Sequence, residues 1–378
     1  MRTAPIHVLF AGGGTAGHLF PGLAVAEELL RAEPEVQITF AGSGKPFEVE
    51  YTRRAGHEHV AIPCRPFSRS PIGAFRFLTA NLNGFYAARR LLAEHPASVV
   101  VGLGGYASVP AVRAAARAGI PYVLLEQNAV PGRATRWLAP GASLICSALE
   151  GIRPRLRRGC RVRVTGNPLR RGFVDRQLPA RGLRERIGRR RRLVVLGGSG
   201  GSQELNQNVP LALYKAGAAL HDWQIVHQTG EHNAAATGYL YRKLGIRATV
   251  SPFIERLPEV LRDSHLAISR AGGTTLAELA ACGVPAILLP LGRATDNHQR
   301  CNADVFAEAG AAKILDRREL AGRLDDHVAR AIVELAGDQR LRANMAQSMT
   351  SLARPRATVN VARAIVKLLE FRELAAAC

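Results

Sequence analysis

The chain has 378 residues, 47% of them hydrophobic and only 6% aromatic, enough for two domains of roughly 150 residues each with its own core. Lys and Arg number 51 against 30 Asp and Glu, a net charge of +21; this points to a polyanionic partner (nucleic acid, an anionic membrane surface or a phosphorylated substrate) or to an arginine-rich proteome bias. The six cysteines include no C-x-x-C pair, so neither a zinc nor a disulfide framework is indicated and a reducing compartment is the default. No uninterrupted run of about 18 apolar residues is present, and the N-terminal "IHVLFAGGG" breaks into glycine too early for a signal peptide, so any membrane contact is expected to be peripheral.

In chain order, residues 6–10 predict a buried strand, Gly12 to Gly17 a turn, and residues 21–31 a helix with Leu23, Val25 or Ala26, Leu29 and Leu30 inward. Residues 36–42, 97–105, 121–128, 143–148 and 161–168 read as further strands, short and apolar, feeding helices. That alternation predicts a parallel, doubly wound sheet with functional groups at the carboxyl ends of its strands. Residues 169–192 are arginine-rich, end in the run Arg189 to Arg192, and read as an interdomain connection. The theme then restarts: strands at 192–196, 223–230 and 248–254, and a strand–turn–helix–strand unit over 265–290. The fold class is therefore α/β with two Rossmann-like halves. Residues 357–371 predict a C-terminal helix with one buried face, carrying Val359, Ala362, Ile365 or Val366 and Leu369.

Gly12, Gly14 and Gly17 have the G-x-G-x-x-G spacing of a dinucleotide loop. An NAD site also needs an acidic residue about 20 positions on, at the end of the second strand. That place reads Ala41-Gly42-Ser43-Gly44, and Glu33 and Glu35 precede the strand, so the dinucleotide reading is set aside. His18 follows the glycines at the expected start of a helix, where imidazolium is disfavoured and a neutral ring can accept a proton. The plainer alternative is a helix-start histidine bonded to a loop carbonyl. Gly197 to Gly201 and Gly272-Gly273-Thr274-Thr275 form two more glycine turns suited to phosphates. Glu278 lies four residues after Thr274 on the same helix face, placed either for ribose hydroxyls or as a solvated helix-start carboxylate. Asp296, Asn297, His298 and Gln299 close a later loop that is too irregular for a metal site, and no D-x-D carboxylate pair lies nearby, so metal-independent chemistry is favoured. Residues 65–92 interleave Arg65, Arg69 and Arg76 with Phe67, Ile72, Phe75, Phe77 and Leu78, the make-up of a peripheral membrane patch or of ordinary packing.

Seven stretches occur together and in order: "GGGTAGHLFPGLAVAEEL", "GLGGYASVPAV", "LLEQNAVPG", "VTGNPLR", "LGGSGGSQELNQ", "SRAGGTTLAELAACGVPAILLP" and "DNHQRCNA". As a set they make the chain, from residue 8 to about 303, resemble the MurG family of UDP-N-acetylglucosamine transferases. The resemblance implies the GT-B fold, two Rossmann-like doubly wound parallel-sheet domains facing a cleft. It implies an acceptor and membrane domain over 1–168, joined by the helix 356–371, and a UDP-GlcNAc-binding domain over 169–355. It further implies an inverting transfer of GlcNAc from UDP-GlcNAc to the MurNAc 4-hydroxyl of lipid I, the undecaprenyl-diphosphate-linked acceptor, on the cytoplasmic face of the membrane and without a cofactor.

Carried over by position, Thr15, Ala16 and Gly17 face acceptor diphosphate and donor sugar, and His18 acts in proton transfer. Asn128, Arg170 and Ser199 contact the donor, and the backbone of Ile254 reads uracil. Gly273, Thr274, Thr275, Leu276, Ala277 and Glu278 form the helix start beneath the UDP diphosphate, with Glu278 on the ribose, and Gln299 contacts sugar hydroxyls. A GT-B relative with another acceptor would share the donor half; "EQN" with "GLGGY" favours the cell-wall acceptor. Nucleic acid is not expected as a partner, because no recognition motif is present and aromatics are too few for a stacking platform.

Overall fold

The computed structural model describes residues 6–68, 70–174, 190–292 and 297–377. Arg69, Asp296 and Arg189, with most of the arginine-rich connection, lie outside the described residues. The chain forms two compact units, one of Met1–Arg170 with Pro355–Cys378 and one of Arg171–Arg354.

The first unit holds a seven-stranded sheet of β1 (His7–Ala11), β2 (Gln37–Gly42), β3 (Glu58–Ala61), β4 (Val99–Gly102), β5 (Tyr122–Glu126), β6 (Leu144–Ser147) and β7 (Val162–Val164). Their order is β3-β2-β1-β4-β5-β6-β7, and every pairing is parallel. Strands covered on both faces must be apolar throughout, and β1, β4 and β5 are buried along their whole length. On one face Leu9, Val100 and Leu124 pack with Ala88, Leu91 and Val112. On the other, Val8, Phe10 and Val101 pack with Leu19, Val25 and Leu29, and with Val361, Ala362, Ile365 and Leu369 of the C-terminal helix Ala357–Ala377. Phe10 lies opposite Phe40 in the β1–β2 register, and their rings stack at 4.9 Å.

The second unit repeats the plan with β8 (Arg191–Leu196), β9 (Trp223–Gln228), β10 (Ala248–Ser251), β11 (Leu266–Ser269), β12 (Ala286–Leu288) and β13 (Ala312–Ile314). The order is β10-β9-β8-β11-β12-β13, again all parallel. Leu193, Val195, Ile225 and Ile268 pack with Leu205 and Val209 of helix Gln203–Ala216 and with Val328 and Ile332 of helix Leu324–Gly337.

In each unit the strand order reverses beside the first strand, between β1 and β4 and between β8 and β11. In doubly wound sheets ligands bind outside the carboxyl ends of the strands at that switch. The first and third glycine turns and the "GLGG" turn all fall at these two places.

Two expectations need correction. Helix α1 runs Ala16–Ala32 and carries Pro21 inside it, rather than starting at Pro21. The proline forgoes one helical bond, and its burial with Leu19 and Phe20 offsets that loss. Strands β3 and β13 went unpredicted. Both are short sheet edges without a continuous apolar run.

Candidate functional site

At the β1–β4 switch, Gly12, Gly13 and Gly14 have φ of +127°, +142° and +84°, a backbone path that strongly favours glycine. The turn hands over to Thr15, the N-cap of α1, whose side chain makes no capping bond. Its hydroxyl instead lies 3.0 Å from Nδ1 of His18. With Nδ1–H donating to that hydroxyl, Nε2 keeps the lone pair a base needs. The half-buried His18 ring lies against Gly104 and Gly105; a Cβ on Gly104 would come within 3.0 Å of it. The "GLGG" turn therefore has to be side-chain-free for the histidine to sit there.

Asn128 and its surroundings come from the end of β5. Glu126, buried, accepts the Asn128 N–H and the Asn128 carboxamide on Oε1, each at 3.0 Å. Its Oε2 accepts Gly132 N–H at 3.0 Å and the Thr135 hydroxyl at 2.6 Å. Gln127 donates to Leu103 O at 3.1 Å, tying this loop to the "GLGG" turn. Arg170 stacks its guanidinium 4.2 Å above the ring of Phe20. The first unit thus brings Thr15 and the opening of α1 (Ala16, Gly17 and His18) to the carboxyl end of β1, and Asn128 to that of β5, beside that of β4.

In the second unit, helix Gly273–Cys282 opens immediately after β11 with Gly272 as its N-cap and no side-chain cap, leaving backbone N–H groups and the positive dipole end at the switch. Thr274 and Glu278 are buried, so the solvated reading of Glu278 does not hold. The Leu276 side chain belongs to the core and its N–H bonds Gly272 O at 3.0 Å, while Thr275 and Ala277 are partly exposed. Ser199 is half-exposed in the turn after β8. That turn is packed tightly on the loop after β9: a Cβ at Gly201 would fall 2.0 Å from Thr229 O. Ile254 is buried, and its N–H donates to Gln228 Oε1 at 3.1 Å. Reading a base through that N–H therefore requires the Gln228 side chain to give way. Gln299 accepts Leu291 N–H at 2.9 Å and so braces the loop after β12.

Sequence reasoning missed several organising side chains. Gln228 also donates to Gly198 O at 3.0 Å, joining the β8 turn to Ile254. Arg270 pairs with Glu204 at 2.7 Å and donates to Leu289 O at 2.9 Å, linking the ends of β11 and β12 to helix Gln203–Ala216. Asn206 donates to Thr229 O, which makes its Oδ1 an acceptor for His227 Nε2–H at 3.1 Å and leaves Nδ1 to accept from the Tyr241 hydroxyl at 2.9 Å. This chain requires a neutral imidazole, and burial pushes His227 down to about 3. Each is an ordinary polar residue in a strand, a helix or, for Arg270, the turn after β11, and only the fold gives it its partners.

Helix α3 (Pro71–Glu94) is capped by Ser70, which accepts Gly73 N–H at 3.1 Å, with Pro71 at its first position. Ile72, Phe75, Leu78, Leu82 and Tyr86 form an exposed stripe at helical spacing, with Ile72 and Phe75 each 68% exposed. Arg65, Arg76, Arg89 and Arg90 are exposed around it. Phe77 is half-buried, with its ring edge-on to Phe67 at 5.6 Å. No helix among the described residues is long and apolar enough to cross a membrane. Among the described residues no group of three or more His, Cys, Asp or Glu is placed to hold a metal ion.

Two doubly wound parallel sheets with glycine turns at their switch points define a two-domain α/β protein of the GT-B type. Residues 8–146 match the glycosyltransferase family 28 N-terminal domain and residues 192–358 its C-terminal domain. The chain belongs to glycosyltransferase family 28. It is 36% identical over 360 residues to the UDP-N-acetylglucosamine--N-acetylmuramyl-(pentapeptide) pyrophosphoryl-undecaprenol N-acetylglucosamine transferase of Geobacter sulfurreducens, covering 95% of this chain and 96% of that protein. The transferase of the same name from Sorangium cellulosum is 37% identical, covering 96% of this chain and 88% of that one. Among solved structures, MurG of Acinetobacter baumannii is similar with a TM-score of 0.71 and 29% identity, covering 96% of this chain and all of that one.

Proposed function

We propose that the chain is the UDP-GlcNAc-dependent transferase that converts lipid I to lipid II in peptidoglycan synthesis. The MurNAc 4-hydroxyl of undecaprenyl-diphospho-MurNAc-pentapeptide attacks the anomeric carbon of UDP-GlcNAc. The new glycosidic bond forms with inversion as the bond to UDP breaks, and UDP leaves. The observation that carries this reading is the near-complete coverage of transferases of that name at 36–37% identity.

Within it, His18 Nε2 takes the proton of the attacking hydroxyl, oriented by the bond between Nδ1 and Thr15. The amides at the start of α1 face the acceptor diphosphate. Asn128, held by Glu126, meets the donor sugar, as do Arg170, Ser199 and Gln299. In the second unit the start of helix Gly273–Cys282 takes the UDP diphosphate, Glu278 holds the ribose, and the Ile254 backbone reads uracil once Gln228 moves aside. The apolar stripe of α3 and its arginines bind the anionic inner face of the cell membrane, where a lipid-linked acceptor is found.

The deciding experiment is transfer of labelled GlcNAc from UDP-GlcNAc to a lipid I analogue, with simpler glycolipids as parallel acceptors. Transfer confined to the lipid I analogue is expected. Transfer to the simpler glycolipids alone refutes the assignment and favours a GT-B relative with a different acceptor.

A further inference from the structure

Glu48 lies in the first turn of helix α2 (Pro46–Arg54), is 0% exposed, and has no role in the reaction as described so far. Donors surround it. Gly14 N–H and the Ser43 hydroxyl, the latter at 2.6 Å, donate to Oε1. Gly44 N–H donates to Oε2 at 3.0 Å, and His59 Nε2 lies 3.6 Å from the same oxygen. Burial by itself would raise this carboxyl, but His59, Ser43 and Gly14 together hold it below its ordinary value. It is a buried anion enclosed by donors.

Helix capping accounts for only one of its oxygens. The bond from Gly44 is local to α2, whereas the bond from Gly14 reaches 34 residues back. The same turn supplies Lys45, whose Nζ lies 3.2 Å from Gly14 O. Both backbone groups of Gly14 are therefore held from the start of α2, one by Glu48 in its first turn and one by its N-cap residue Lys45. The fit is close: a Cβ at Gly13 would come within 3.1 Å of the Glu48 carboxylate. In a dinucleotide-binding turn an N–H at this place faces pyrophosphate. Here the protein's own carboxylate occupies it. The acid sought after β2 thus exists one helical turn later, and it is aimed at the glycine turn instead of a ribose. The residue after Gly14 is Thr15, whose hydroxyl meets the His18 ring.

We propose that Glu48 is a positioning residue for the transfer, an internal anion that fixes Gly14 and, through Thr15, the orientation of His18. This rests on the reading of His18 and the first turn given above. The test uses the full chain with Glu48→Ala and Glu48→Gln, measuring kcat on a lipid I analogue, UDP affinity by calorimetry and the thermal midpoint. A loosened turn misplaces His18, so kcat of Glu48→Ala is expected to fall about 100-fold while UDP affinity stays within about twofold of wild type. Glu48→Gln keeps an acceptor oxygen for Gly14 and is expected about tenfold below wild type. Wild-type kcat in a folded Glu48→Ala, or turnover and UDP affinity falling together, overturns the proposal. Should Glu48→Ala fail to fold, Glu48→Gln decides: reduced kcat with normal UDP affinity supports the role, and wild-type kcat removes it. Absence of transfer by the wild-type enzyme would instead count against the function itself.

Discussion

Thr15 stands where a capping hydroxyl belongs and makes no cap; its contact with His18 is what gives the histidine a defined ring orientation. His18→Ala is accordingly expected to lower kcat by roughly 10²–10⁴ while leaving UDP affinity intact; unchanged kcat would remove His18 from the proton transfer. Glu278, buried one turn into its helix, is assigned a contact that exists equally before and during reaction. Its replacement by Ala should raise KM for UDP-GlcNAc with little change in kcat, and calorimetry showing wild-type UDP affinity would contradict the ribose contact. His227 gives a pH signature. Burial lowers it from 6.5 to about 3, so the folded protein excludes a proton that the unfolded chain accepts below about 6.5. Its contribution to stability is complete above that pH and is lost as pH falls toward 3, at up to ~1.4 kcal/mol per unit. Urea unfolding at pH 6.5 and 5 should show a shallower pH dependence in His227→Gln than in wild type, and identical slopes would contradict this account.

At the scale of elements, α3 displays apolar side chains that its own unit leaves uncovered. Ile72→Ser with Phe75→Ser should weaken binding to anionic vesicles several-fold with unchanged thermal stability, because neither side chain is packed. Flotation equal to wild type would leave the stripe without a membrane role. The half-buried Phe77, contacting Phe67, is a poorer choice because its loss also disturbs packing. The central strands were legible because burial on both faces demands continuous apolar runs, as in β1, β4, β5, β8 and β11. The edges β3 and β13 escaped because one side of each meets no neighbouring strand, which permits Glu58 and Lys313 in the run. The glycine turns were legible for the same kind of reason: their backbone geometry tolerates little else. Glu48, Glu126, Gln228 and Arg270 were not, since a lone polar residue acquires meaning only when the fold brings a distant main-chain group to it. The α1 start was misread because proline favours a first turn, whereas the helix begins wherever the glycine turn ends.

At the scale of the whole molecule, the membrane binding proposed above should depend on salt, because the chain carries a net charge of +21. Vesicle association should fall steadily between low and 0.5 M salt; salt-insensitive binding would assign the attachment to the apolar stripe alone. The first unit is built from both ends of the chain. Ile365 is fully buried against its sheet and α1, so Ile365→Ala should cost about 2–5 kcal/mol, read by denaturant unfolding. A cost below about 1 kcal/mol would mean that the C-terminal helix is not part of that core.

That split path also governs how the protein can come off the ribosome. Residues 7–170 emerge early, with α1 on the sheet but without the C-terminal helix that completes that layer, and Val361 to Leu369 are synthesised only after the whole of the second unit. The second unit is contiguous and can close while its neighbour waits half-finished. The nascent chain therefore exposes that uncovered strip until the C-terminal helix has been made. A stop codon anywhere before residue 357 would leave that surface permanently bare.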